Sequence, residues 1–253
     1  MDKSIKITAI IPTLNEEIHI KAAINSVSFA DEIIVIDSFS SDKTVEIAKS
    51  LNVRLLQRKF DDFSSQKNYA IEQATHQWIY VLDADERVTD LLRNEILNKV
   101  KDANGEIGFY VYRTFYFIGK KINYSGWQRD KVIRLFKKEH CKYDGKLVHE
   151  RLLANGDVGF LKNKLEHYSY RSYDHYIQKL NHYSALKAKM LYEQHKKVTP
   201  FHILIKPPVR FIVHYFIRLG FLDGFPGFII SVVQSYGVLT RYIKLWLLKK
   251  KMN

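Results

Sequence analysis

Short apolar runs alternate with helix-patterned segments through the first hundred residues, and this alternation constrains the fold more than any other feature of the chain. Residues 6–11 (Lys-Ile-Thr-Ala-Ile-Ile) read as a strand stopped by Pro12. Further strands are predicted at 32–36, ending on Asp37, at 53–56 and at 77–82. Between the first two, Ile20, Ala23, Ile24 and Val27 recur at helical spacing. Residues 43–51, 64–75 and 89–101 are also predicted helices. Strand and helix in turn imply βαβ units, and hence a Rossmann-like α/β fold whose mostly parallel mixed sheet is flanked by helices.

In such sheets ligands bind beyond the carboxyl ends of the strands. The sequence places Pro12-Thr13-Leu14-Asn15-Glu16, Asp37 and Asp83-Ala84-Asp85 there, so the three clusters are expected to line one crevice. The fourth strand runs directly into three acids, Asp83, Asp85 and Glu86. Carboxylates so close repel one another unless a cation or basic partner intervenes. An oxygen-rich cluster suits Mg²⁺ or Mn²⁺, which keep waters and take phosphate oxygens as further ligands. The plain alternative is a solvated acidic turn before the helix that begins near Thr89. No Gly-x-Gly-x-x-Gly follows the first strand and no Gly-Lys-Ser/Thr loop occurs, which argues against dinucleotide oxidoreductases and P-loop NTPases.

Beyond residue 105 the pattern changes. Residues 108–118 and 131–136 read as strands, with a turn-rich loop containing Trp127 between them. A short strand at 145–150 ends in His149-Glu150, and residues 163–170 carry His167. Residues 173–195 form a predicted helix, which sets a boundary between a domain at 1–172 and a helical region at 173–253. From Lys196 onward ten Lys/Arg face a single acid, Asp223, within a chain of formal net charge +13. These bases are interleaved with Phe, Tyr, Ile and Trp, a pattern that fits amphipathic helices lying on an anionic membrane surface. A basic subdomain packed on the core is the alternative. The apolar run between Asp223 and Arg241 is interrupted by Pro226, Gly227, Gln234, Ser235 and Gly237, which is marginal for spanning a bilayer. The first apolar run is short and soon meets Glu16-Glu17, unlike a signal peptide, so a cytoplasmic location is expected, peripheral on the inner face of the membrane. The lone Cys141 rules out an internal disulfide and a thiolate-rich zinc site.

Four motifs, taken in order, are carried by the first ninety residues: Ile11-Pro12-Thr13-Leu14-Asn15-Glu16-Glu17, Val35 to Thr44 around Asp37, Gln66-Lys67-Asn68-Tyr69-Ala70, and Asp83-Ala84-Asp85-Glu86. Together they resemble the family 2 glycosyltransferases of GT-A fold. Gly126-Trp127, Arg134-Leu135-Phe136, Val148-His149-Glu150 and Gly220-Phe221-Leu222-Asp223-Gly224 extend the resemblance to a subgroup typified by lipopolysaccharide core β-1,4-glucosyltransferases.

The resemblance implies roles. Pro12, Thr13, Asn15, Glu17 and Asp37 would hold the nucleoside, and Gln66 and Lys67 would face the nucleotide, with Lys67 near phosphate. Asp83, with Ala84 beside it, would meet the ribose or a metal-bound water. Asp85 would bind Mg²⁺ or Mn²⁺. Trp127 would offer a flat face to a sugar ring, and Arg129 and Arg134 would reach donor phosphate. Glu150, with His149 beside it, would take the acceptor's proton, and His167 would complete the metal shell. Each has a plainer reading: Trp127 and His167 as core residues, His149 and Glu150 as a surface pair. The implied reaction is transfer of one hexose, from UDP-glucose, to a lipid-linked saccharide of the lipopolysaccharide inner core. The Gln-x-x-Arg-Trp motif of processive synthases is absent, which favours single addition. Alternatives are another glycan or a protein as acceptor, or a non-catalytic basic module bound to membrane or RNA. Nucleic acid is not an expected partner, because the bases are interleaved with bulky aliphatics rather than presented as a polar groove.

Overall fold

The computed structural model describes residues 5–102, 105–128, 130–145, 150–170 and 172–252. The chain divides into two units, Met1–Arg113 with Asp130–His167, and Thr114–Arg129 with Tyr168–Asn253.

In the first unit, strands β1 (Ile7–Thr13), β2 (Glu32–Asp37), β3 (Arg54–Gln57) and β4 (Trp78–Val81) form a parallel sheet in the order β3-β2-β1-β4. The two-residue β5 (Glu86–Arg87) lies apart and pairs with His167 and Glu166. Beyond β4 the sheet continues antiparallel, through residues 108–113 of β6 (Gly108–Phe117) and β8 (Lys131–Lys137), with β7 (Lys120–Ile122) belonging to the second unit. Small strands β9 (Cys141–Tyr143) and β10 (Leu152–Ala154) pair with each other, β11 (Val158–Phe160) adds to β6, and β12 (Leu165–Tyr170) closes the series.

The period-two alternation of strand side chains builds two cores, one on each face. Ile7, Ala9 and Ile11 of β1, with Trp78 and Tyr80 of β4, face helices α1 (Ile20–Ser26) and α4 (Asp90–Lys101) through Ile20, Ala23, Leu92 and Ile96. Helix α2 (Thr44–Lys49) adds Ala48 to that layer. Ile10, Ile34, Ile36, Ile79 and Val81 face the other way, onto Ala70 and Ile71 of α3 (Phe63–Gln73). Each fully buried isoleucine contributes about 1.5–3 kcal/mol relative to exposure. Asp62 starts α3 by accepting Ser65 N–H at 2.8 Å, and Thr89 starts α4 by accepting Leu92 N–H at 3.3 Å.

Pro12 does not stop the first strand, which runs to Thr13. The last bond on the β4 side is Leu82 N–H to Ile10 O, and Pro12 lies two residues further on that same side. Its missing N–H therefore falls where β4 has already turned away, while Thr13 O still accepts Ser38 N–H at 3.0 Å on the β2 side. The strand expected at 145–150 lies largely outside the described residues.

The second unit contains α5 (Tyr173–Glu193), α6 (Pro200–Leu204), α7 (Lys206–Ile212) and α8 (Phe225–Lys250), with a π-helical turn at Val213–Ile217 and a 3-10 turn at Gly220–Asp223. Phe117, Ile122, Tyr176, Ile230 and Val233 form its core. Residues 114–129 fall in this unit, beyond the boundary expected at 172. Phe117 and Ile122 pack in that core, and the side chain of Asp223 fastens the turn between them and Trp127. Its carboxylate accepts the backbone N–H groups of Asn123 and Tyr124, both at 2.9 Å, and the Ser125 hydroxyl at 3.3 Å. Ser125 N–H donates to Arg218 O at 3.0 Å. A Cβ added at Gly227 would lie 1.9 Å from Gly220 O, and one added at Gly220 would lie 2.7 Å from His214 O, so neither position admits a side chain.

Candidate active site

The carboxyl ends of β1, β2 and β4 carry the three polar clusters, as the alternation implied. The first two are laced together. Asn15 has φ 56°, a left-handed conformation that asparagine tolerates. Its N–H donates to Ser40 Oγ and its Oδ1 accepts Ser41 N–H, each at 2.8 Å. Glu17 Oε2 accepts Lys43 N–H at 3.1 Å, and Glu16 N–H donates to Thr44 Oγ1 at 2.7 Å. The two motifs therefore hold each other. Beneath them Asp37 is fully buried and accepts from Ser40 N–H at 3.0 Å, Gln57 Nε2 at 3.3 Å and Thr13 Oγ1 at 3.4 Å. Gln66 reaches the same region from α3, donating to Ser38 Oγ at 2.5 Å.

Around the third cluster is a cleft of about 590 Å³, lined by Lys67, Asp83, Arg113, Arg134, Tyr143 and Glu150 among others. Lys67, buried on α3, lies 3.0 Å from Glu150 Oε1 and 3.5 Å from Asp83 Oδ1, with its ammonium 5.2 Å from the Tyr143 ring centre. Tyr143 is fixed by Asn68, whose amide donates to its carbonyl at 3.1 Å and accepts its N–H at 3.0 Å. Burial opposes the charge on Lys67, yet Asp83, Tyr143 and Glu150 overcome it and hold the ammonium above the ordinary lysine range. Burial likewise opposes the Asp83 carboxylate, but Arg134 and Lys67 hold it well below the usual carboxylate range. Arg134 pairs with Asp83 and, at 2.7 Å, with Glu86.

The reading from sequence counts Glu86 among three acids suited to a cation and gives Arg113 no role; in the structure arginines, not a shared cation site, take up Glu86. Glu86 is fully buried, accepts Asp83 N–H at 3.1 Å, and pairs with Arg113 at 3.3 Å as well as with Arg134. Arg113 also pairs with Asp130. The available signals were an acid three residues after Asp83 and a single cation inside an aromatic strand. Ala84 is buried in the core beside these groups.

Asp85 points to a different partner. Its Oδ2 lies 3.2 Å from His167 Nε2, and His167, on β12, is 8% exposed, so the two residues named for a metal are brought together. No group of three or more His, Cys, Asp or Glu side chains converges on a metal-sized site among the described residues. Trp127 belongs to the second unit, where its ring packs against Phe115, Tyr170 and Tyr176 at 5.2, 5.7 and 6.5 Å between centres. His149 and Arg129 lie outside the described residues.

A mostly parallel sheet flanked by helices, with acids at its strand ends, is consistent with the GT-A fold. The family model for Glycosyl transferase family 2 matches residues 8–151, and the chain belongs to that family. An uncharacterized glycosyltransferase of Rickettsia typhi is 32% identical over 95% of this chain and 86% of its own. The lipopolysaccharide core biosynthesis glycosyltransferase LpsC of Rhizobium meliloti is 31% identical over 95% of this chain and 92% of its own. Among solved structures, glucosyl-3-phosphoglycerate synthase of Mycobacterium tuberculosis, in complex with Mn²⁺, UDP and glucosyl-3-phosphoglycerate, aligns with a TM-score of 0.42 at 17% identity. That alignment covers 53% of this chain and 57% of the synthase, so the chain spans little more than half of that structure.

Proposed function

We propose that this family 2 enzyme inverts configuration as it moves one hexose from a nucleotide sugar, UDP-glucose, onto a lipid-linked saccharide of the lipopolysaccharide inner core. The observation that carries the reading is Lys67 held between Asp83 and Glu150 in the cleft at the strand ends. LpsC, similar over nearly the whole chain, is named for lipopolysaccharide core biosynthesis, and that name supports the acceptor class.

Glu150 is the base in this reading. It accepts the proton of the acceptor hydroxyl as that oxygen attacks the anomeric carbon, while the nucleoside diphosphate departs from the opposite face. The strand ends and loop carrying Pro12, Thr13, Asn15, Glu17 and Asp37 hold the nucleoside, and Lys67 and Arg134 meet the diphosphate's negative charge. Asp85 and His167 fit a divalent cation that takes its remaining ligands from water and substrate phosphate, with the imidazole favouring Mn²⁺ over Mg²⁺. When bound, that ion neutralises charge on the leaving diphosphate.

The helical unit seats the enzyme on an anionic membrane surface. No helix among the described residues is long and apolar enough to cross a membrane. Ile217 is 70% and Phe225 73% exposed, while Lys206, Lys249, Lys250 and Lys251 supply charge in the same region of sequence. Exposed apolar side chains among bases suit the boundary between lipid headgroups and acyl chains.

The test is a binding panel of UDP-, GDP-, ADP- and CMP-sugars with Mn²⁺, Mg²⁺ or chelator, on the wild type and Asp85→Ala. The expected result is metal-dependent binding of UDP-glucose that the variant loses. Failure of every nucleotide sugar to bind folded, metal-supplied protein would sink the proposal.

A further inference from the structure

The helical unit holds a second concentration of positive charge, apart from the residues assigned to transfer. Along α5, Tyr176, Leu180, Ser184 and Lys187 fall on one face at helical spacing. Two contacts fix that face against α8: Ser184 Oγ donates to Gly237 O at 3.1 Å, and a Cβ added at Gly237 would meet Leu180 at 2.8 Å. Gln234 and Arg241 lie seven residues apart on α8, and so on one face. Gln234 donates to Tyr176 Oη at 3.1 Å and accepts from Arg210 of α7 at 3.5 Å. Ser235 Oγ bonds Pro207 O at 2.7 Å, and Lys206 Nζ bonds Tyr242 Oη at 2.8 Å. Lys187, Arg210 and Arg241 therefore converge on the seam where α5, α7 and α8 pack.

All three cations are partly buried, and among the described residues none forms an ion pair with a carboxylate. The nearby acid in sequence, Asp223, is committed to the amides of Asn123 and Tyr124. The Nε atoms of Arg210 and Arg241 are buried without a hydrogen-bond partner. Burial, then repulsion from Arg241 and Arg210, pulls the Lys187 ammonium below the ordinary lysine range. Burial, then Arg218 and Arg241, does the same to Arg210. Cations withdrawn from water without a counter-ion cost free energy, and an anion entering among them offsets that cost. Guanidinium groups match phosphate in shape and in hydrogen-bond donors.

We infer that Lys187, Arg210 and Arg241 form a binding site for a phosphate group, presented by a membrane lipid or by a lipid-linked acceptor. The site rests on the membrane reading above only for the source of the phosphate. None of the three lines the donor cleft, whose lining residues all belong to the sheet unit.

The experiment uses the full-length protein with two probes, inorganic pyrophosphate in calorimetry and vesicles of phosphatidylcholine with or without phosphatidylglycerol in flotation. Arg241→Met and Lys187→Met are compared with wild type, each alongside UDP-glucose binding in the presence of Mn²⁺. Wild type is expected to bind pyrophosphate, and each variant to bind it about tenfold more weakly, the loss of one charge-assisted contact. Melting points of the ligand-free variants should stay level or rise, since each substitution removes a like charge from the seam. UDP-glucose binding should not move, and its failure in wild type would count against the donor reading alone. Pyrophosphate that displaces protein from phosphatidylglycerol vesicles assigns the site to a discrete phosphate group. Vesicle capture that resists pyrophosphate yet is lost in the variants assigns it to the lipid headgroup. Variants that bind both probes like wild type, or a wild type that binds neither, overturn the inference.

Discussion

Replacing Glu86 with Gln tests the polar frame beneath the cleft. The side chain is fully buried, and Oε1 accepts from Arg134 at 2.7 Å and from Arg113 at 3.3 Å, while Oε2 accepts Asp83 N–H at 3.1 Å. Glutamine keeps the size and one acceptor but removes the charge from between two guanidinium groups. Arg134 is only 3% exposed, so water does not replace the lost carboxylate. Removing one partner from a buried ion pair costs about 3–5 kcal/mol. Arg134 retains Asp83 and Arg113 retains Asp130, which places the loss near the lower end, about 3 kcal/mol. For a unit of this size that lowers the melting temperature by about 6–12 °C. Scanning calorimetry at neutral pH reads it directly. Arg93→Gln is the control: it removes an exposed 3.2 Å pair with Asp90 and should move the transition by less than about 2 °C. If Glu86→Gln melts within that same margin of wild type, the frame does not carry the stability argued for it.

Two further outcomes follow from the cleft. Glu150→Gln should lower kcat by about 10²–10⁴-fold and leave nucleotide-sugar affinity within about twofold, measured by radiolabelled transfer and by calorimetry; an unchanged kcat would move the base elsewhere. Asp83→Asn should flatten the acid limb of stability. Because Arg134 and Lys67 depress the folded carboxylate, its contribution is present above the unfolded value near pH 4 and is lost progressively below it. Denaturant midpoints of wild type and variant should therefore differ by a steady margin above about pH 4 and draw together as pH falls toward about 2; a margin that does not shrink below about pH 4 would contradict the pairing.

The sheet was legible because its signal is local. Alternating Ile7, Ala9 and Ile11 against Thr8 and Ile10 carry their own period, and Thr89 marks a helix start within one turn. Pro12 misled because proline's effect depends on which neighbour its nitrogen faces, a property of the paired strands and not of the run. In the cleft, the acids at the strand ends were foreseeable from the α/β pattern, and Lys67 of α3 only from the family resemblance. Glu86 was read only as one acid of a cation-suited cluster, because its actual partners, Arg113 and Arg134, arrive from two later strands. The membership of residues 114–129 in the helical unit was hidden for a similar reason. Backbone amides at Asn123 and Tyr124 leave no trace in sequence, and their acceptor lies far away.

That acceptor also imposes a timetable on synthesis. Asp223 stands 100 residues beyond Asn123. At about 5–20 residues per second, a ribosome needs about 5–20 s to make the intervening chain. Through that interval the turn at 123–125 lacks its carboxylate, and within it the last residue of the sheet unit, His167, is polymerised well before Asp223. The sheet unit can thus reach its fold first and the helical unit must wait. A nascent chain halted before Asp223 would present an assembled cleft and an unfastened turn.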